Sequence, residues 1–312
     1  MNVPAIDVGG THVTAALADA ALWRTVAGTR HRRALRSGAT ADEIIATLAA
    51  AIRPLGDISS SALGIAMPGP FDYATGIGRF RDVGKFDALN GVDVGSALRA
   101  ALPALQAHIA FLNDASAFTI GEWVSGAAQG ATRVVGITLG TGVGSAFLDH
   151  GRVIADGPDV PRHGYAHLLR VNGRPLEDLV SRRAIIAAYE SAQAAAPGSA
   201  VDVDAIARLA ASGDGPARAV IGQAVGALGK ALRPWLVRFG AEILVVGGGI
   251  AGSWEFIGPA LDGALLREGT PSAPAWRGGM IVRARDPEEA TLVGAAWNAV
   301  DVPVRARRRR GT

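Results

Sequence analysis

The chain contains no cysteine, which excludes disulfides and thiolate metal sites. Aromatic residues are scarce at 5%, so the 49% hydrophobic content rests mainly on Ala, Val, Leu and Ile. No apolar run approaches roughly 18 residues, the length of a membrane-span candidate, and no membrane partner is expected. The N-terminus enters an apolar strand with no basic leader, so a cytoplasmic location is expected. An excess of positive charge is also missing outside the C-terminal tail. Arg305, Arg307, Arg308, Arg309 and Arg310 crowd that tail, and setting these five aside turns the formal net charge from +3 to −2. A basic tail can hold nucleic acid electrostatically. The body is near neutral, however, so a solvated, disordered terminus is the preferred reading and nucleic acid is not an expected partner.

Glycine is abundant, at 41 of 312 residues. This describes a compact α/β chain with many tight turns, long enough for one large domain or two ordinary ones. Two segments stand out. Ile6-Asp7-Val8-Gly9-Gly10-Thr11-His12-Val13 is echoed by Ile137-Thr138-Leu139-Gly140-Thr141-Gly142-Val143-Gly144. Each reads as an apolar strand, a Gly/Thr turn and a second strand. Backbone N–H groups in such turns can hold phosphate oxygens. Two ordinary hairpins with glycine turns are the alternative.

Periodicity predicts strands over 3–8, 12–18 and 22–30, a helix over 42–52, and buried strands over 62–66 and 109–112. A short helix is expected over 94–102 and another over 115–125. The second half repeats the plan, with strands over 134–139, 145–148 and 152–154. Helices over 176–190 and 217–239 follow, then a strand over 243–246 and a helix over 254–266. A last strand over 280–284 precedes a closing helix over 287–300 that starts at a proline. Strands alternating with helices indicate α/β architecture.

Several polar residues fall where chemistry is possible. Asp7 lies two residues before the first Gly-Gly turn. It either caps its own turn or sits beside a bound phosphate, where a carboxylate suits hydrated Mg²⁺. Asn113-Asp114 ends a buried strand and starts a helix. That place suits a helix cap and a carboxylate at the mouth of a ligand site; the two roles can coexist. Gly247-Gly248-Gly249-Ile250-Ala251-Gly252 matches a dinucleotide fingerprint. Too few strands follow it for a dinucleotide domain, although a strand running into glycines still suits a nucleotide. His163, His167 and Glu177 lie in a loop-like stretch. They read as surface residues or as contacts to a polyhydroxylated ligand.

Taken together, the motifs resemble the ROK family (repressors, open reading frames, sugar kinases) of the actin-like ATPase superfamily. They occur in the family's order: Asp7-Val8-Gly9-Gly10-Thr11, Pro68-Gly69-Pro70-Phe71-Asp72, Asn113-Asp114, Gly121-Glu122, Leu139-Gly140-Thr141-Gly142-Val143-Gly144 and Val246-Gly247-Gly248-Gly249. The resemblance implies two ribonuclease H-like domains flanking a cleft and closing over the substrates. Residues 1–113 with 288–312 would form one, and 114–287 the other. It implies an ATP-dependent sugar kinase, with a DNA-binding repressor disfavoured because the chain starts at the first kinase strand. Asp7 would help hold Mg²⁺ through water. Gly9, Gly10, Thr11, Gly140, Thr141 and Gly142 would hold ATP phosphates, and Gly247 and Gly248 would line the adenosine pocket. Asp114 would be the base, while Gly69, Asn113, His167 and Glu177 would contact the sugar. A homodimer is implied as well.

Two departures qualify the resemblance. The family's Glu-x-Gly-His segment matches Gly164-Tyr165-Ala166-His167, with Gly164 in place of the glutamate. The expected consequence is a lost acceptor and an opened space beside the sugar. The family's cysteine-rich zinc segment matches Val171 to Glu177 without a cysteine, so no zinc is expected. A catalytically weak sugar sensor is the alternative function. An oxidoreductase would rest on the 247–252 fingerprint alone.

Overall fold

A computed structural model describes residues 1–56, 62–193, 202–266 and 275–310, with backbone alone over 302–310. The chain divides into two compact units, Met1–Gly126 with Asp286–Thr312, and Ala127–Arg285.

The first unit is built on β1 (Asn2–Val8), β2 (His12–Asp19), β3 (Arg24–Thr25), β4 (His31–Ala34), β5 (Ala62–Met67) and the short β6 (Phe71–Asp72) and β7 (Ile77–Gly78), followed by β8 (His108–Asn113). The main sheet runs β3-β2-β1-β5-β8, and β4 also pairs with β2. β1 and β2 form an antiparallel hairpin in register from Asn2↔Asp19 to Val8↔Val13. β5 is parallel to both β1 and β8 and is buried along its whole length. Such a central strand needs apolar residues on both faces.

The two faces of β5 differ in size, and that difference sorts the helices. Leu63, Ile65 and Met67 join Ile6, Val8 and the apolar stripe Ile44, Leu48 and Ile52 of α1 (Ala41–Ile52) in one core. Thr40 and Glu43 cap α1 reciprocally. The alternate residues Ala62, Gly64 and Ala66 present a nearly flat face. A Cβ at Gly64 would lie 2.1 Å from the Ala295 carbonyl oxygen, so the closing helix Pro287–Arg310 lies directly against this face. α2 (Val94–Ala101) and α3 (Asp114–Ser125) complete the unit.

The second unit repeats the hairpin. β9 (Arg133–Leu139) and β10 (Val143–Asp149) pair antiparallel from Leu139↔Val143 outward. With β11 (Arg152–Val153), β14 (Ile243–Gly247) and β15 (Met280–Arg283) they form a sheet in the order β11-β10-β9-β14-β15. A ribbon of β12 (Arg170–Val171) and β13 (Arg174–Pro175) precedes α4 (Glu177–Val180) and α5 (Arg182–Ala192). α6 (Val203–Ala211), the long α7 (Gly215–Phe239) and α8 (Trp254–Leu266) supply the rest of the core.

Five expectations change. The strand over 22–30 becomes the separate β3 and β4, because Gly28 turns the chain at φ +79° and Thr29 bonds back to Val26. The helix over 176–190 breaks at Ser181, whose extended backbone (ψ 159°) ends α4 and whose hydroxyl caps α5 at Ala184. α6 was not anticipated. The closing helix continues to Arg310 rather than ending at Val300, so the tail expected to be disordered has helical backbone. Arg and Ala, which fill 305–310, are good helix formers. Finally, the units part after Gly126, not at 113, because α3 packs along the closing helix and stays with the first unit.

Candidate functional site

In the first unit the parallel strands β1, β5 and β8 end side by side, with Asp7 opposite Ala66 and Met67 opposite Asn113. Ligands gather at such carboxyl ends. Asn113, not Asp114, is the N-cap of α3: its Oδ1 accepts the Ser116 N–H at 3.2 Å. Both hydrogens of its amide are engaged. One goes to Asp114 Oδ1 at 2.8 Å and the other to the Tyr73 hydroxyl at 3.2 Å. The Tyr73 hydroxyl donates to the Met67 carbonyl at 3.1 Å. Gly69 adjoins this chain of contacts, since a Cβ there would lie 3.4 Å from the same hydroxyl.

Asp114 is thereby aimed. Its Oδ1 accepts from Asn113 and from the Ala115 N–H at 2.9 Å, while its Oδ2 has no hydrogen-bond partner among the described residues. Burial raises its pKa above the ordinary aspartate range, and the Ala115 N–H, the Lys85 charge and the Asn113 amide oppose that shift.

Asp7 stands in a cross-strand row with Thr14 and Arg32. Its pKa is pushed up to about 7, chiefly by burial, then by the charges of Asp114 and Glu288, with Arg32 opposing. The turn beyond it is closed by the Gly9 N–H donating to the His12 carbonyl at 2.8 Å. Gly10 and Thr11 are exposed at its tip.

Sequence reasoning missed Tyr73, Lys85 and Glu288. Glu288 accepts from the Thr14 hydroxyl at 2.6 Å and lies within 4 Å of His12, Arg30 and Arg32. Its one local signal was the acidic first turn of the closing helix.

A stability prediction follows from Asp7. Its folded pKa lies above the unfolded value near 3.8, so the native state keeps a proton that the unfolded chain releases. This group therefore costs stability increasingly as pH rises from about 4 to about 7. Asp7→Asn should raise the thermal midpoint over wild type at pH 8, with a smaller gain at pH 5. Thermal melts in metal-free buffer test this. A gain that does not depend on pH would contradict it.

In the second unit the turn Gly140-Thr141-Gly142 is closed by the Gly140 N–H donating to the Gly142 carbonyl at 3.0 Å. Gly247 pairs with Thr138, and Gly248, at φ +87°, lies on the Leu139 backbone. The two glycine segments expected at a nucleotide are thus adjacent. Glu177 accepts the Val143 N–H at 3.1 Å through Oε2, which anchors the base of the turn. His167 stacks on Tyr165 at 5.2 Å, and Tyr165 also meets the ring of His163. The structure therefore brings Glu177 to the Gly/Thr turn and His167 to an aromatic row. Among the described residues, no group of three or more His, Cys, Asp or Glu side chains is arranged to hold a metal ion.

Gly164 has a backbone conformation that favours glycine. It sits at φ +68°, and its carbonyl accepts from the buried Ser145 hydroxyl at 2.7 Å. A Cβ there would point at the Ile154 carbonyl, 3.4 Å away, and at the Phe147 ring, 3.9 Å away. These are ordinary contact distances, so a side chain here is opposed by the left-handed backbone rather than by a clash. Gly164→Glu should therefore lose about 1–3 kcal/mol to left-handed strain. It should not improve binding of glucose. Urea unfolding and a glucose titration check both parts; a stable variant with tighter glucose binding would refute this reading.

The chain is 28% identical over 236 residues to a glucokinase of Thermotoga maritima, covering 69% of this chain and 73% of that protein. It superposes on a ROK hexokinase from Thermus thermophilus with a TM-score of 0.75 at 26% identity, covering 97% of this chain and 99% of the other. A ROK glucokinase from Streptomyces griseus, solved with glucose and AMPPNP, superposes with a TM-score of 0.76 at 22% identity over 96% and 100% of the two chains. These neighbours share the two-domain, actin-like ATPase fold. The sequence profile of the ROK family matches residues 3–301, the span that carries both Gly/Thr hairpins, the Asn113-Asp114 pair and the first part of the closing helix; this chain belongs to the ROK family.

Proposed function

We propose that the chain is a sugar kinase that transfers the γ-phosphoryl group of ATP to a hydroxyl of a hexose or hexose derivative. One observation carries the reading. Asp114 is held through Oδ1 by Asn113 and Ala115, and its Oδ2 is left without a partner among the described residues. A carboxylate so oriented at a strand end is equipped to accept a proton from a substrate hydroxyl. Its raised pKa increases its basicity.

The rest of the machinery would work by position and charge, as phosphoryl transfer requires. The two Gly/Thr turns would present backbone N–H groups to phosphate oxygens. Gly247 and Gly248 would allow close approach of the adenosine. Asp7 lies close enough to Asp114 and Glu288 to feel their charge, with Arg32 opposing. Asp7 would hold Mg²⁺ through its water shell, and that ion would offset charge on the phosphates. His167 and Glu177 would contribute to sugar recognition, with Glu177 retaining Oε1 for that purpose.

The test is a panel of hexoses and N-acylated hexoses against ATP and polyphosphate, with Mg²⁺ present, read as product formation. Sugar-dependent transfer from ATP supports the proposal. Measurable sugar binding with no turnover on any donor would favour a sensor instead.

A further inference from the structure

The second Gly/Thr turn has an arginine beside it that the function above leaves unused. Arg182 is the first residue of α5, and its backbone N–H donates to the Gly140 carbonyl at 2.8 Å. This bond ties the arginine's backbone to the turn expected to hold the donor phosphates. Its guanidinium Nε donates to Asp202 Oδ1 at 2.9 Å. The same carboxylate oxygen accepts the Val203 N–H at 2.6 Å and so caps α6. Two residues on, the carboxylate of Asp204 would lie 3.1 Å from a Cβ at Gly252, so α6 also borders the 3₁₀ turn Gly249–Ser253 that follows Gly248. The Arg182–Asp202 pair thus connects to both glycine segments of the second unit.

Stability does not account for the pair. Both side chains are about half exposed, at 54% and 53%. Exposed ion pairs of this kind contribute little to folding. The guanidinium meanwhile uses only Nε, which leaves its two terminal nitrogens without hydrogen-bond partners among the described residues. Two parallel N–H donors match the geometry of a phosphate better than that of any neutral group.

We propose that Arg182, tied to the turn by its backbone, binds a phosphate of the nucleotide donor through its terminal nitrogens, and that Asp202 is the positioning residue that fixes the guanidinium. This rests on the reading of Gly140-Thr141-Gly142 as a donor site.

The experiment is calorimetric titration of the full chain with ADP, alongside separate KM values for ATP and sugar. Arg182→Ala should weaken ADP binding by at least about tenfold, the loss expected for a charge-assisted hydrogen bond. KM for ATP should rise in step, while KM for sugar and the thermal midpoint stay near wild type. Arg182→Lys, which keeps the charge and loses the fork, should fall between. Asp202→Asn should weaken ADP binding in the same direction by a smaller factor. Equal ADP affinity in wild type and Arg182→Ala would overturn the assignment alone. So would a variant that loses sugar affinity, nucleotide affinity and stability together. Wild-type protein that binds no ADP would overturn the donor reading of the turn, and this assignment with it.

Discussion

Asp114→Asn is expected to lower kcat by about 10²–10⁴-fold, the range for loss of a general base. The argument depends on what the variant preserves. The amide oxygen can take the place of Oδ1 and keep accepting from Asn113 and the Ala115 N–H. The amide nitrogen then falls where Oδ2 has no partner, so no existing hydrogen bond of the described residues is broken. Removing the charge also relieves a burial cost, because the wild-type carboxylate is held above its ordinary pKa by desolvation. The variant should therefore be at least as stable as wild type and bind sugar with similar KM. Its defect would be confined to the chemical step. The pH profile gives a second readout. Wild-type kcat/KM should climb as Asp114 ionises, at a pH above the ordinary aspartate range, whereas the residual activity of the variant should lack that limb. Near-normal kcat in a folded variant would reduce Asp114 to the first residue of a helix.

The second large effect concerns a glycine remote from any proposed chemistry. A Cβ at Gly121 on α3 would lie 1.8 Å from the Ala290 carbonyl oxygen of the closing helix. The contact is reciprocated one turn along, where a Cβ at Gly294 would lie 1.9 Å from the Ala117 carbonyl oxygen. These are backbone atoms on both sides, so no flexible side chain can yield. Gly121→Ala must push the two helices apart, and an overpacked contact of this kind costs about 3 kcal/mol. The damage should reach the site. Ala290 is two residues from Glu288, which bonds Thr14 beside Asp7, and α3 begins at Asp114. Loss of stability by urea unfolding should therefore come with loss of activity. Gly222 on α7 is the control. Nothing lies within 4 Å of its would-be Cβ, so Gly222→Ala should be neutral or stabilising by up to about 1 kcal/mol. If Gly121→Ala proved as stable as Gly222→Ala, the close approach of α3 and the closing helix would be wrong.

Much of the site was legible because its signals are local. A strand, a Gly/Thr turn and a second strand favour a tight hairpin, and both hairpins formed as antiparallel pairs. Asn113-Asp114 sits between a strand pattern and a helix pattern, so its position at a strand end was readable without any tertiary contact. The glycines at 247 and 248 were placed by the same logic, and their fingerprint failed for want of later strands. Helix boundaries went wrong where one residue decides them, as at Ser181.

By itself, then, the sequence determined the alternation of strands and helices, the two Gly/Thr turns, and the placing of Asp7 and Asp114 at strand ends. These depend on backbone preferences and hydrophobic period over a few residues. Only the tertiary structure decided which groups surround them. Glu288 meets Thr14 across 274 positions of chain. Tyr73 reaches Asn113 across 40. Gly164 sits at φ +68°, a left-handed conformation that the residue type alone does not reveal. Direction and partnership of this kind arise from strand register, helix packing and the sign of one dihedral angle, and no local pattern of residue types encodes them.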